Sequence, residues 1–342
     1  MTKVKIAVAS GKLPSDFGGA EAWMRISCES DHIELHVAGS SEQNKAWVEC
    51  QAKEYRILNT PEFEHSFKAF EEVAEVSDAI IFNDICEICR INRALVSRLY
   101  RFAENTGKPV RLVMHEGEMA QCPAWLELAR KDLTKIFIFD KNYKYIIPKD
   151  LHDKVDILPH PVPELSDQNT KKDQAILLLV RNGDFPYFER EIIKIANELK
   201  GYKIYVQGCY LKALDLIKKF ALRNVQAVPP TSPKKLAQLA SRCIVTFLMR
   251  KPAGTTRILF PTQMFECFSQ NTPLVVPQQD FTSATTICRE ISSLIIDEPV
   301  ITAEIVLEVV ENPPKVSHLA KRYYKEYNVS NWVKKLIEKL NL

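Results

Sequence analysis

Apolar residues recur along this chain in short β-branched runs, and between the runs they return every three or four positions on an otherwise polar background. The runs predict strands at Lys3–Ala9, His32–Ala38, Glu54–Leu58, Asp78–Phe82, Pro109–Met114, Lys135–Phe139 and Val155–Leu158. The same alternation restarts with strands at Ala175–Val180, Lys203–Gln207, Val225–Val228 and Cys243–Met249. Helical spacing predicts helices over Ala20–Cys28, Glu64–Glu75, Tyr187–Leu199, Leu211–Phe220 and Pro233–Ala240. Two more helices close the chain at Ser317–Tyr327 and Ser330–Leu340, the last capped by Ser330 and amphipathic through Trp332, Val333, Leu336 and Leu340. Strands alternating with helices imply parallel sheets covered on both faces, so the fold class is α/β.

The alternation is interrupted once. Pro159, Pro161 and Pro163 each disfavour helix at the residue before them, and the polar stretch Ser166 to Gln174 follows directly. At 342 residues the chain is also longer than one core usually serves. The expected organisation is an N-terminal Rossmann-like domain over 1–165 and a C-terminal one over 166–316, two doubly wound units facing a cleft. The helices of 317–342 are expected to pack back toward the first domain.

Composition narrows the function classes. With 46% hydrophobic and 26% charged residues there is no shortage of core formers, and no apolar run approaches the ~20 residues that span a bilayer. Met1 to Ala9 reads as a strand leading into a loop and not as a secretory signal. Nine scattered cysteines suit a reducing, cytoplasmic setting, and Cys86-Glu87-Ile88-Cys89 is a lone pair without a second pair at metal-ligand spacing, so no metal is expected. The net charge of +3 is uneven: residues 1–165 carry 21 Lys and Arg against 26 Asp and Glu, residues 166–342 carry 25 against 17. The second half therefore suits a polyanion such as a nucleoside diphosphate, whereas the uniformly basic surface of a nonspecific DNA binder is absent.

Several stretches carry candidate chemistry. Thr262 to Val276 (TQMFECFSQNTPLVV) reads as a short helix, a tight turn at 269–273 and an apolar strand, with one acid, Glu266, among Met264, Phe265, Cys267 and Phe268. A carboxylate so placed either turns to solvent or finds a partner, and a ribose diol can donate two hydroxyls to it. Gly18-Gly19, after the first strand, is either a simple turn or a close backbone approach to a ligand. His115 and Glu116 follow a predicted strand, where functional groups gather in open α/β sheets. On the helix after Asn83, Arg90, Arg93, Arg98 and Arg101 fall within about 140° of arc, either as a solvated face or as a phosphate-contacting track.

In order and spacing, Gly18-Gly19-Ala20-Glu21, His115, the proline connector around His160, Arg181, Pro229-Pro230-Thr231-Ser232 and the stretch Phe265 to Val276 resemble a GT-B glycosyltransferase of the large retaining family 4 type. The resemblance implies a GT-B fold and transfer of a sugar, with retention of configuration, from a UDP-linked donor to an acceptor hydroxyl, without a cofactor. It implies a donor site in which Glu266 meets the ribose, Asn271 and Thr272 lie near the diphosphate, Arg181 balances phosphate charge, and Gly18, Gly19 and Thr231 line the donor. His115 would contact the donor sugar and Glu116 would orient or deprotonate the acceptor.

The sequence departs from the pattern twice. Ile258 stands eight positions before Glu266, where relatives usually carry an acid, and Asp184-Phe185-Pro186-Tyr187 lacks the usual lysine after Arg181. The basic loop residues Arg250, Lys251 and Arg257, or Arg190, are the replacements available for that lysine. More loosely, the stretch Val113 to Asp140 resembles phage DNA α-glucosyltransferases. That resemblance makes 5-hydroxymethylcytosine in duplex DNA the expected acceptor inside a host cytoplasm, with Arg90, Arg93 and Arg101 and the 250–257 loop as phosphate or acceptor contacts. The alternatives are an envelope polysaccharide or lipid-linked glycan acceptor, and a GT-B-like binding subunit without catalysis.

Overall fold

The computed structural model describes residues 3–9, 30–39, 54–57, 63–83, 93–114, 120–162, 171–180, 183–229, 231, 233–251, 263–277, 295–296, 298–315 and 318–342. The strands in chain order are β1 (Val4–Ala9), β2 (Ile33–Gly39), β3 (Glu54–Ile57), β4 (Ala79–Phe82), β5 (Val110–Met114), β6 (Thr134–Ile138), β7 (Val155–Ile157), β8 (Ala175–Val180), β9 (Lys203–Gln207), β10 (Val225–Val228), β11 (Val245–Met249), β12 (Leu274–Pro277) and β13 (Ile295–Ile296). The helices are α1 (Phe63–Glu75), α2 (Arg93–Thr106), α3 (Pro123–Ala129), α4 (Phe185–Glu198), α5 (Tyr210–Phe220), α6 (Pro233–Arg242), α7 (Gln263–Ser269), α8 (Ala303–Glu311), α9 (His318–Tyr327) and α10 (Val329–Leu340).

Both sheets are parallel and doubly wound. The first has the order β3-β2-β1-β4-β5-β6-β7 and the second β10-β9-β8-β11-β12-β13. In each, the first strand of its half pairs with the second on one side and the fourth on the other, which opens a crevice beyond the carboxyl ends of that strand pair. Strands β4, β5, β8 and β11 are buried at every position, which explains their unbroken apolar runs.

One face of the first sheet packs Ala7, Ile80, Leu112 and Ile136 against Phe70 of α1, Tyr100 of α2 and Trp125 of α3. The other face packs Ile6, Val8, Ile81, Val113 and Phe137 against Trp332, Val333, Leu336 and Leu340 of α10. Each of those four side chains contributes about 1.5–3 kcal/mol by leaving water, the smaller ones at the low end, so the last helix is part of the core of the first sheet. The second sheet is covered by α4, α5 and α8 on one face and by α6 and α7 on the other.

Three predicted details change. The cap of α10 is Asn328, whose side chain accepts from the Asn331 amide at 3.1 Å, and not Ser330. Helix α4 begins at Phe185, two residues before the predicted start, because Pro186 fits a first turn where its missing N–H goes unused. Helix α8 and strand β13 were not predicted: Ile305, Val306, Val309 and Val310 make α8 rich in β-branched residues, which favour strand, and packing of Val306, Val309 and Val310 into the core overrides that preference.

The connector is held from both sides. The Trp332 indole donates to the Pro159 carbonyl, and the Val162 amide donates to the Tyr327 carbonyl at 2.9 Å. His160, 1% exposed, stacks on Phe139 with ring centres 3.9 Å apart and lies 6.4 Å from Phe265 of α7, which in turn stacks on Tyr323 of α9. A line of rings thus runs from the end of β6 through the connector to both later helices.

Candidate functional site: the crevice at the second sheet

The carboxyl ends of β8 and β11 lie side by side, and the residues that leave them meet there. Asp184, 5% exposed, precedes α4, and its carboxylate lies 3.9 Å from a guanidinium nitrogen of Arg250, the first residue after β11. The Arg250 side chain is 18% exposed, and Lys251 beside it is open to solvent. A cation therefore occupies the neighbourhood of the segment where the usual lysine is missing. The basic loop supplies it from the adjacent strand, and Arg190 sits on the exposed side of α4.

Gly208 shapes the same edge. It follows β9 with φ +100°, and a Cβ built on it would lie 2.5 Å from the Val180 carbonyl oxygen at the end of β8. Only glycine lets the two backbones approach this closely. Gly208→Ala is expected to cost roughly 2 kcal/mol or more through strain and clash, read as a lower denaturant midpoint. Gly201→Ala, whose added Cβ meets nothing within 4 Å, is the reference and should sit near wild type.

Glu266 is 1% exposed in the first turn of α7, flanked by Met264, Phe265, Cys267 and Phe268, all buried. The predicted helix, turn and strand of this stretch are present. Asn271 takes φ +53°, the Thr272 amide donates to the Cys267 carbonyl at 3.0 Å and the Asn271 amide to Phe268 at 2.9 Å. That pattern is a Schellman closure with Asn in the left-handed position.

The turn stands at the amino edge of the sheet, just before β12, on the side opposite the crevice. Thr272 is fully buried, and its hydroxyl donates to the Ala240 carbonyl at 2.7 Å. The structure therefore does not bring Asn271 and Thr272 to the diphosphate side with Arg250. The reason is the direction of α7, which runs back from the crevice, so that residues after it lie at the far end.

Thr231 follows β10, two strands and roughly 10 Å from β8, and lines a cavity of about 180 Å³ with Tyr205, Gln226, Val228, Lys235 and Arg242. In the first sheet, Asn83 directly follows β4, is fully buried and donates its amide to the Ala9 carbonyl at 2.8 Å, which marks the corresponding switch point between β1 and β4. On α2, Arg101 is exposed and Arg98 half-buried, and the Arg93 side chain is outside the described residues. Gly18, Gly19, Cys86, Cys89, Arg90, His115, Glu116, Arg181, Arg257 and Ile258 also lie outside them.

Sequence reasoning missed Lys172 and Asp184 as partners within the second domain, and Gly208. The signal for Gly208 was available, as a glycine directly after a strand and before a helix. Among the described residues no group of three or more His, Cys, Asp or Glu could hold a metal ion, and no helix is long and apolar enough to cross a membrane.

No protein-family model and no curated protein matches the sequence. Solved structures do match in shape. An Anabaena protein, Alr3699/HepE, crystallised with UDP and glucose, superposes with a TM-score of 0.71 over 98% of this chain and 99% of its own at 11% identity. A glycosyltransferase from Rickettsia africae gives 0.64 over 99% and 98% at 10% identity. WaaG, a glycosyltransferase involved in lipopolysaccharide biosynthesis, gives 0.56 over 98% of each chain at 14% identity. With two doubly wound parallel sheets and these neighbours across its whole length, the chain has the GT-B fold.

Proposed function

We propose that this protein is a glycosyltransferase that takes its sugar from a UDP-linked donor held at the second sheet, 166–316, and delivers it to an acceptor hydroxyl on the side of 1–165. The observation that carries the donor reading is the cation at the switch point: Arg250 beside Asp184 at the carboxyl ends of β8 and β11, in a fold whose Anabaena neighbour holds UDP. Preorganised donors at that place stabilise the diphosphate as it leaves, the step in which most charge develops. Arg181 adds a second cation in this reading, and Glu266 accepts from the ribose hydroxyls. His115 and Glu116 serve the sugar and the acceptor, and transfer retains configuration.

For the acceptor we propose 5-hydroxymethylcytosine in duplex DNA, supported by the arginines of α2, where Arg101 is exposed. A base in a duplex has to be flipped out before its hydroxymethyl group can be reached, and phosphate contacts make such binding steeply salt-dependent. A glycan acceptor is the second reading, favoured by the likeness to WaaG.

The test is incubation with a panel of UDP-sugars, alone and with hydroxymethylated duplex or a lipopolysaccharide core acceptor. UDP release with at least one donor is the expected result, and product mass identifies the acceptor. Absence of UDP release with every donor and acceptor would leave a binding subunit in place of an enzyme. Lack of salt-sensitive binding to the duplex would remove the DNA acceptor alone.

A further inference from the structure

Lys172 lies three residues before β8, where the connector from Pro159 enters the second sheet. Its ammonium donates to the Gln270 carbonyl at 3.0 Å, to the Thr272 hydroxyl, and at 3.5 Å to the Ala240 carbonyl near the end of α6. Thr272 donates to the same Ala240 carbonyl. One cation thus joins the connector, the turn that ends α7 and the end of α6. Carbonyls at helix C-termini carry partial negative charge, so an ammonium among them is favourable.

Burial pushes Lys172 down to about 8. Burial holds the Cys243 and Cys267 thiols at about 12, so neither is an anion near neutral pH. The ammonium, with three hydrogens for three acceptors, is the prevailing form there.

Lys172 cannot reach a donor itself. Strand β8 has six residues, so the amino edge is roughly 20 Å from the crevice. Helix α7 is seven residues long, about 10 Å, and Glu266 precedes Gln270 by one turn. The Schellman hydrogen bonds join the C-terminus of α7 directly to its turn.

We infer that Lys172 is a positioning residue for donor binding: by tying the α7 turn to α6 and to the connector, it sets where Glu266 stands relative to the crevice. This rests on the donor reading above. It also gives the connector a second anchor, after the Trp332 and Tyr327 contacts at its start, so that both ends of the link between the sheets are fastened.

The test is calorimetric titration of the full chain with UDP. Wild type should bind. Lys172→Met and Thr272→Val should each weaken binding about tenfold, a loss of about 1.4 kcal/mol, with the stoichiometry of wild type. Thr272→Ser, which keeps the hydroxyl, should restore the affinity that Thr272→Val loses. A lysine that only stabilised the fold would instead lower the competent fraction at unchanged affinity, and that result overturns the assignment while leaving the donor reading intact. Should Lys172→Met fail to fold, the Thr272 pair decides by the same criteria. No UDP binding by folded wild type would overturn the donor reading and this assignment together.

Discussion

Arg111→Ala should destabilise the whole protein by about 3–5 kcal/mol, the range for removing one member of a buried charged network. Arg111 sits inside β5 at 1% exposure, a place where an arginine is rarely found without a reason. Its Nε donates to the Lys339 carbonyl at 3.1 Å, a second nitrogen donates to the same carbonyl, and a third donates to the Val110 carbonyl at 3.0 Å. The guanidinium also lies 5.6 Å over the ring of Phe137. It therefore satisfies a last-turn carbonyl of α10 and fixes that helix to the first sheet, and burial lowers its pKa against the opposing pull of Asp156.

Alanine would leave the α10 carbonyl and Val110 without these donors, and Asp156 with the Lys339 ammonium at 3.3 Å as the remaining cation the structure gives it. Lysine should not rescue, because a single ammonium cannot reproduce the planar fork that serves both carbonyls. The measurement is a denaturant midpoint together with hydrogen exchange over 329–340. Loss of protection there before the rest of the chain opens is the expected pattern, and uniform loss would show that α10 is not the element Arg111 secures.

The fold was legible because it is written in period. Strands buried on both faces produce unbroken apolar runs such as AILLLV at Ala175–Val180, and no other local structure of that length explains them as well. What stayed hidden depends on contacts between distant segments. Arg111 is a single charge inside the predicted strand Pro109–Met114, with nothing beside it in sequence to name its partner, which is 228 positions away. Lys172 reads as one of several charges in a polar connector, and its three acceptors lie 68 to 100 positions further on. The turn after α7 illustrates the opposite error. Its residue types were read correctly as a turn, but polarity alone does not tell which edge of a sheet a turn occupies. The direction of α7 does, and it puts Thr272 away from the crevice. The Asp184–Arg250 pair was half visible, since the missing lysine and the basic loop were both evident and only the strand order brings them together.

Glu266→Ala should weaken UDP binding by about 10- to 100-fold, since each charge-assisted hydrogen bond to a hydroxyl is worth roughly 1.5–3 kcal/mol. The carboxylate stands in the first turn of α7, where backbone amides favour negative charge, and at 1% exposure it is shielded from the water that would otherwise compete for it. Because Glu266 is buried, its removal also bears on stability, so the denaturant midpoint of the variant is measured beside its affinity and the affinity is read on the folded fraction. A cycle with 2′-deoxy-UDP isolates the contact. Wild type should prefer UDP over 2′-deoxy-UDP, and Glu266→Ala should bind both alike, because the side chain that reads the missing hydroxyl is gone. If the variant keeps the preference of wild type, the ribose is read elsewhere and Glu266 is a buried carboxylate that serves α7 alone. Glu266→Gln, which keeps the shape and one acceptor oxygen, should fall between the two, and its position between them measures how much of the contact is charge.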